Sequence, residues 1–342
     1  MYKKPAILLI YTGGTIGMVK DFSTGALKAF NFDQLLERIP ELNLLDCSIA
    51  TYSFDTPIDS SDMNPEHWVS MVSIIEENYD RYDGFVILHG SDTMSYSASA
   101  LSFMLQNLQK PVVLTGSQLP IGDLRTDAKE NLITAIQVAT FQVNSVPLFQ
   151  EVCLYFEYKL YRGNRTTKVS AELFNAFTSP NVPHLAESGV HFKINEALLL
   201  KHDPTKKLAV YKQMDTRVMI LKLFPGINQS MFESILKIPH LKGLILETYG
   251  SGNAPTEKWF LSCLHQAMDQ GLKVVNVTQC SGGSVNMGQY ETSTEMKEIG
   301  VISGMDITTE AAITKLMFLL GQQVDAADFK AQFERPICGE MG

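Results

Sequence analysis

A two-domain α/β architecture on parallel sheets is predicted by three observations. Apolar runs of strand length are followed, again and again, by helix-length segments along the 342 residues, the order that builds parallel sheets with crossover helices. The leading run, Ala6-Ile7-Leu8-Leu9-Ile10-Tyr11, is apolar throughout, as a strand covered on both faces must be. A polar, lysine-rich stretch without periodicity, residues 195–212, then interrupts the pattern before it restarts. The expected division is an N-terminal domain over 1–192, a linker over 193–215 and a smaller C-terminal α/β domain over 216–342.

The first strand runs into Thr12-Gly13-Gly14-Thr15-Ile16-Gly17. Glycines there permit a sharp turn and a close ligand approach to main-chain N–H groups. Thr15 falls at the carboxyl end of the strand, where open parallel sheets place their ligands. Residues 18–29 are polar and lack a strong helical pattern, which predicts a lid-type loop, and Asn31 to Ile39 reads as a short helix. Ser48 to Phe54 is a second strand. It leads into Asp59-Ser60-Ser61-Asp62, with Asp62 or Asn64 as the cap of a helix from His67 to Tyr79. Gly84 to Leu88 is a third strand, followed by His89-Gly90-Ser91-Asp92-Thr93-Met94 and a helix from about Ser95 to Leu108 with small residues (Ala98, Ala100, Ser102) on one face. Pro111 to Thr115 and Val152 to Phe156 are two more strands. The first is followed by Gly116-Ser117-Gln118 and a helix from Ala128 to Phe141 capped by Thr126 or Asp127. In the second half, strands are expected at 218–224, 244–246 and 274–278, and helices at 230–238, 257–270, 309–320 and 326–333, with Thr308 or Thr309 capping the third of these.

Composition narrows the function. Hydrophobic residues make up 45% of the chain and the formal net charge is −9. No block of Lys and Arg stands out, which argues against nucleic acid as a partner. The N-terminal apolar run is cut too early by Thr12-Gly13-Gly14 for a signal-peptide core, and no run reaches membrane-spanning length. The five cysteines are scattered, without C-x-x-C or a His/Cys cluster, so neither a disulfide framework nor a metal site is indicated. The expected compartment is the cytoplasm.

The informative feature is a coincidence of positions. Thr15, the segment Asp59 to Asp62, Ser91 with Asp92, and Ser117 each follow a predicted parallel strand. Strands of one parallel sheet share their carboxyl edge, so these tips converge on one crevice. Lys168 lies further beyond its strand. Hydroxyls with a lysine suit nucleophilic catalysis, because a hydroxyl needs a base and a lysine in a suitable environment can be one. Asp92 can position that lysine or receive a substrate ammonium group, and Ser60 and Ser61 can hold a carboxylate. Such a site suits a free amino acid. The rival class is a nucleotide-binding module, supported only by the glycine turn. A G-x-G-x-x-G reading would need glycine at Thr12, and no G-x-x-x-x-G-K-[ST] is present.

Tyr11-Thr12-Gly13-Gly14-Thr15-Ile16-Gly17-Met18 and His89-Gly90-Ser91-Asp92-Thr93-Met94 together resemble the two signature motifs of the L-asparaginases. Leu160 to Lys168, Tyr249 to Pro255 and Thr278-Gln279-Cys280 are similar to the bacterial cytoplasmic type I branch. The resemblance implies a flavodoxin-like N-terminal domain, hydrolysis of L-asparagine to L-aspartate and ammonia with side activity on glutamine, and no cofactor. It implies Thr15 as the nucleophile, with Ser91, Asp92 and Lys168 as a second catalytic cluster. Asp59, Ser60, Ser61, Ser91, Asp92 and Ser117 would bind substrate, together with Asn253 from a neighbouring subunit of a homodimer or dimer of dimers. It also implies an allosteric site at Thr167, Thr278 and Cys280. The sequence departs from the family pattern at three places: Ser91 stands where threonine is usual, no tyrosine lies between Met18 and Ala29, and Glu247 occupies the arginine position of the allosteric site. Relatives with the same fold include glutaminases, an amidotransferase subunit acting on charged tRNA, and lysophospholipase-like proteins.

Overall fold

The computed structural model describes residues 4–20, 27–29, 39–288 and 291–342. The helix expected over 31–39 lies, but for Ile39, outside these residues, as do positions 21–26 of the expected lid loop. The described ends of that loop, Met18–Lys20 and Leu27–Ala29, pair antiparallel. The chain forms two compact units, Met1–Lys212 and Gln213–Gly342.

The first unit is built on eight strands: β1 Ala6–Gly13, β2 Ser48–Ile58, β3 Gly84–Leu88, β4 Val112–Thr115, β5 Val152–Phe156, β6 Lys159–Arg162, β7 Ala186–Glu187 and β8 Lys193–Ile194. Their order across the sheet is β8-β7-β6-β5-β4-β3-β1-β2. The first five strands are mutually parallel and the last three antiparallel. The parallel part therefore has the 2-1-3-4-5 order of flavodoxin-like sheets, and its topological switch point falls between β1 and β3. Every residue of β3, β4 and β5 is buried, as helices on both faces of a parallel sheet require.

Among the described residues, three helices cover this sheet: α1 Pro65–Asn78, α2 Met94–Met104 and α3 Ala128–Thr140. Leu132, Ala135 and Ile136 of α3 pack in one cluster with Ile7, Leu9, Val86, Leu88, Val113 and Cys153 from the strands. Each of these leucine, isoleucine and valine side chains contributes about 1.5–3 kcal/mol when fully buried. Asn64, not Asp62, caps α1: its Oδ1 accepts from Glu66 N at 2.9 Å and His67 N at 3.3 Å. Pro65 follows at the first helical position, where its missing N–H costs nothing. For α3, Thr126 Oγ1 accepts from Ala128 N at 3.0 Å, leaving the Asp127 carboxylate for another task described below.

The second unit carries a four-stranded parallel sheet, β9 Val218–Lys222, β10 Gly243–Thr248, β11 Lys273–Thr278 and β12 Ile302–Ser303, in sequential order. Its helices are α4 Gln229–Leu236, α5 Lys258–Asp269, α6 Glu291–Glu298, α7 Thr309–Gly321 and α8 Phe329–Phe333. Phe232, Phe260, Leu244, Leu246 and Val274 centre its core. Thr308 caps α7, accepting from Ala311 N at 3.2 Å. None of the described helices is long and apolar enough to cross a membrane.

Among the described residues of this unit, one ion pair is fully buried. Lys315 of α7 and Glu340 each have 0% side-chain exposure. Lys315 Nζ donates to Glu340 and, at 2.8 Å, to Arg335 O. The same carboxylate accepts from Ile337 N and Cys338 N, each at 2.9 Å, so it organises the turn that carries it. Breaking a buried pair by removing one charge costs about 3–5 kcal/mol, because the other is stranded. Glu340→Gln should therefore lower unfolding stability by about that amount. The double variant Lys315→Met/Glu340→Gln, which keeps an acceptor for the two N–H groups, should recover more than half of it. Urea denaturation followed by circular dichroism checks both, and a single variant indistinguishable from wild type would remove the pair's role.

Candidate active site

The site begins with a backbone contact at the switch point. β1 ends at Gly13, and Gly13 and Gly14 take φ of 136° and 88°, values that side-chain-bearing residues rarely adopt. A Cβ on Gly14 would lie 2.5 Å from Gly90 N, and a Cβ on Gly90 would lie 2.5 Å from Ser60 Oγ. The turns after β1 and β3 thus meet backbone to backbone, and the turn after β2 meets the third through the Ser60 side chain. Thr12 Oγ1 ties the first to the third by donating to Leu88 O at 2.9 Å. Thr15 follows Gly14 and Ser91 follows Gly90, so the two candidate hydroxyl residues are drawn to the same spot. Thr15 opens a single 3-10 turn to Gly17 and is partly exposed. Tyr11, buried four residues earlier, donates from its hydroxyl to Gly17 O at 3.2 Å and so braces that turn. Burial pushes its phenol up to about 12.

Lys168 arrives by a route that its distance from β5 does not foretell. After β5 the chain reverses into β6, then lies along α2 toward the N-terminus of that helix. Gly163 packs on Ala98, where an added Cβ would sit 3.0 Å from the alanine's. Thr166 Oγ1 bonds Ser95 Oγ at 3.1 Å, and Lys168 Nζ reaches Ser91 Oγ at 2.7 Å. Positions 98 and 95 lie one turn apart on α2, and Ser91 lies in the turn that leads into it; small residues at 95 and 98 let the backbone come close. Lys168 Nζ also donates to Asp92 Oδ1 at 2.7 Å, its side chain only 16% exposed against 67% for the aspartate. The hydroxyl, amine and carboxylate predicted as a cluster are joined in the structure.

Ser91 has a second partner, one that the sequence does not reveal. Its hydroxyl donates to Gln118 Oε1 at 3.2 Å, while Gln118 Nε2 donates to Leu173 O at 3.0 Å. The loop bearing Gln118 is held by Asp127, whose carboxylate accepts from Gln118 N at 3.0 Å and Leu119 N at 3.1 Å. Asn131 Nδ2 adds bonds to Gly116 O and Asp127 Oδ2. Ser117, predicted as a binding residue, is buried and donates to Leu119 O at 2.6 Å. Gln118 stands directly after Ser117, and its place in a strand-tip loop was the available signal.

At the tip of β2 the four-residue polar segment forms a 3-10 turn, Ser60–Asp62. Asp59 Oδ1 accepts from both Ser61 N and Ser61 Oγ at 2.9 Å, and those two donors hold its carboxyl below the usual range. Ser60 is buried against Gly90, and its carbonyl accepts from Thr93 Oγ1 at 2.7 Å. The tips of β1, β2, β3 and β4 and the Lys168 segment therefore form one linked set in the first unit.

The remaining candidates divide between the units. Thr167 lies in the first, on the short pair of Thr167–Lys168 with Phe177–Thr178. Glu247, Thr278, Cys280 and Asn253 lie in the second, at and beyond the carboxyl ends of β10 and β11. Glu247 Oε1 accepts from Thr309 Oγ1 at 2.7 Å. Thr278 Oγ1 donates to Gly250 O at 2.5 Å and accepts from Cys280 N at 3.0 Å. Cys280 is exposed. Asn253 is half-buried and pairs with Tyr249 through the backbone.

Comparison with known proteins accounts for both units. Residues 6–199 match the asparaginase N-terminal domain, and residues 217–333 match the glutaminase/asparaginase C-terminal domain. L-asparaginase 1 of Escherichia coli is 43% identical over 341 residues, covering 99% of this chain and 98% of that protein. The crystal structure of L-asparaginase I from Vibrio cholerae superposes with a TM-score of 0.90 at 40% identity, covering 99% of this chain and 100% of the other. The thermostable L-asparaginase of Thermococcus kodakarensis gives 0.86 at 33% identity, covering 98% and 99%. With both domains matched and the likeness running the length of either chain, this protein belongs to the asparaginase family.

Proposed function

We infer that this protein hydrolyses L-asparagine to L-aspartate and ammonia, with side activity on L-glutamine. The observation that carries the reading is the Ser91–Lys168–Asp92 cluster, set beside Thr15 by the contact of Gly14 with Gly90, in a chain of the asparaginase family. Thr15 Oγ1 attacks the side-chain amide carbon and the nitrogen leaves as ammonia, taking a proton. Water then cleaves the resulting threonyl ester, restoring the hydroxyl and releasing aspartate. Ser91 and Lys168 pass the protons. In the resting arrangement the Lys168 ammonium donates to Ser91 and Asp92, and the Ser91 proton points to Gln118. An incoming α-ammonium group competes for Asp92 and so removes one of the two acceptors that hold the lysine's proton. Proton movement is thereby linked to substrate arrival. Ser60 and Ser61 receive the α-carboxylate, with Asp59 orienting Ser61, and the loop of Ser117 and Gln118 lies by the reacting amide.

The reading extends to a cytoplasmic homodimer or dimer of dimers in which Asn253 contributes to a neighbouring subunit's site. Its support is the resemblance to the type I branch. By the same resemblance, Thr167, Thr278 and Cys280 match positions with which relatives of that branch bind asparagine as an effector. Glu247 sets this chain apart: its carboxylate is already engaged by Thr309 and would repel an effector's α-carboxylate.

Ammonia release from asparagine tests the chemistry. Thr15→Ala, Ser91→Ala and Lys168→Met should each lose activity by about a thousandfold or more, with thermal unfolding little changed. Substantial turnover by Thr15→Ala would remove it as the nucleophile. Initial rates measured against asparagine concentration should follow a hyperbola; a sigmoidal curve that turns hyperbolic in Cys280→Ala would show that effector binding operates despite Glu247.

A further inference from the structure

His89 stands two residues before Ser91, and the reaction outlined above gives it no part. It is wholly buried at the tip of β3, and both ring nitrogens are engaged. Nδ1 lies 2.7 Å from Gly90 O. Nε2 lies 2.8 Å from Ser97 Oγ on α2, which in turn accepts from Trp68 Nε1 of α1 at 2.9 Å. The polarity of this chain follows from its ends. An indole nitrogen only donates and a carbonyl oxygen only accepts. Nδ1 must therefore carry the proton given to Gly90 O. A neutral ring then offers Nε2 as an acceptor, and Ser97 donates to it. Burial favours that neutral ring and pushes the imidazole down to about 4. With no nitrogen left for a substrate, His89 is not a general base.

We propose that His89 is a positioning residue: its Nδ1–H pins the Gly90 carbonyl and so fixes the Gly90–Ser91 peptide that presents Ser91 to Lys168. The carbonyl of Gly90 and the N–H of Ser91 belong to one planar unit, and glycine is the residue most able to let such a unit rotate. That unit sits where Gly90 meets Gly14 and Ser60. Packing from those sides restrains translation of the backbone, whereas a directional hydrogen bond sets its rotation. Trp68 and Ser97 fix the ring in turn, so α1 and α2 both act on Ser91 through one imidazole.

The inference rests on the asparaginase reading, and ammonia release by the wild-type enzyme checks that reading separately. Two substitutions divide the ring's functions. Asn places its amide nitrogen near the position of Nδ1 and can still donate to Gly90 O; Gln reaches toward the position of Nε2 and keeps the Ser97 side. His89→Gln should lose kcat by about a hundredfold, the scale of a small misplacement of a reacting group, with KM changed little. His89→Asn should retain about tenfold more kcat than His89→Gln. Equal kcat losses in the two variants, in step with their melting temperatures, would overturn the proposal, and so would a rise in KM alone. Nitrogen-15 NMR of the imidazole in the wild-type enzyme needs no variant to fold: a neutral ring protonated at Nδ1 is expected near pH 7, and a ring protonated at Nε2 would equally overturn it.

Discussion

The backbone of one glycine turn rests directly on that of another, and the active-site arrangement depends on that contact. A methyl group on Gly14 would collide with the backbone of His89 and Gly90, and one on Gly90 would collide with the Ser60 side chain. Strands of a parallel sheet bring their tips to a common edge but leave them about 4.8 Å apart per strand. Side chains usually fill the space between such tips. Removing them at Gly14 and Gly90 brings the strand ends within contact distance, so the residues that follow, Thr15 and Ser91, face one crevice. The switch point between β1 and β3 supplies the crevice, since the chain leaves it in opposite directions on its two sides.

A second constraint brings the amine. Lys168 belongs to a segment that has already turned back through the antiparallel strand β6, and it is delivered by the surface of α2. That surface is smooth only because Ser95 and Ala98 are small, and Gly163 fits against it. Gln118 is placed by a third device, the Asp127 carboxylate that gathers two consecutive N–H groups of its loop. Hydroxyl, amine and amide thus come from separate parts of the first unit, and each is held by a local interaction distinct from its role at the site.

The parallel strands and their polar tips were legible because apolar runs ending in glycine, serine and aspartate reflect burial and turn chemistry in the residues themselves. The clustering of Thr15, Ser91 and Asp92 followed from the topology. Lys168 was recognisable as a candidate, but its path was not, since β6 ends in Tyr161-Arg162 and does not read as a strand. Strands of two residues, such as Ala186–Glu187 and Lys193–Ile194, carry no periodicity. Asp127 looked like a helix cap, as its position allows; that its carboxylate turns to a loop nine residues upstream is decided by tertiary packing. Gln118 was marked only by its place in a strand-tip loop and Tyr11 by nothing, since a single side chain in a loop or strand has no pattern to betray its partner.

The contact between the glycine turns involves main chain almost alone, and this has a consequence for how the scaffold can change. Apart from Ser60, which packs on Gly90, the side chains at the strand tips hang from a frame of main chain. Ser91 stands in place of the threonine of the family pattern, and the backbone contact of Gly14 with Gly90 does not depend on which of the two follows it. Selection for a new amide substrate therefore has a fixed geometry to work within and a separate set of positions to vary. In this enzyme the frame and the chemistry are encoded by adjacent but different residues.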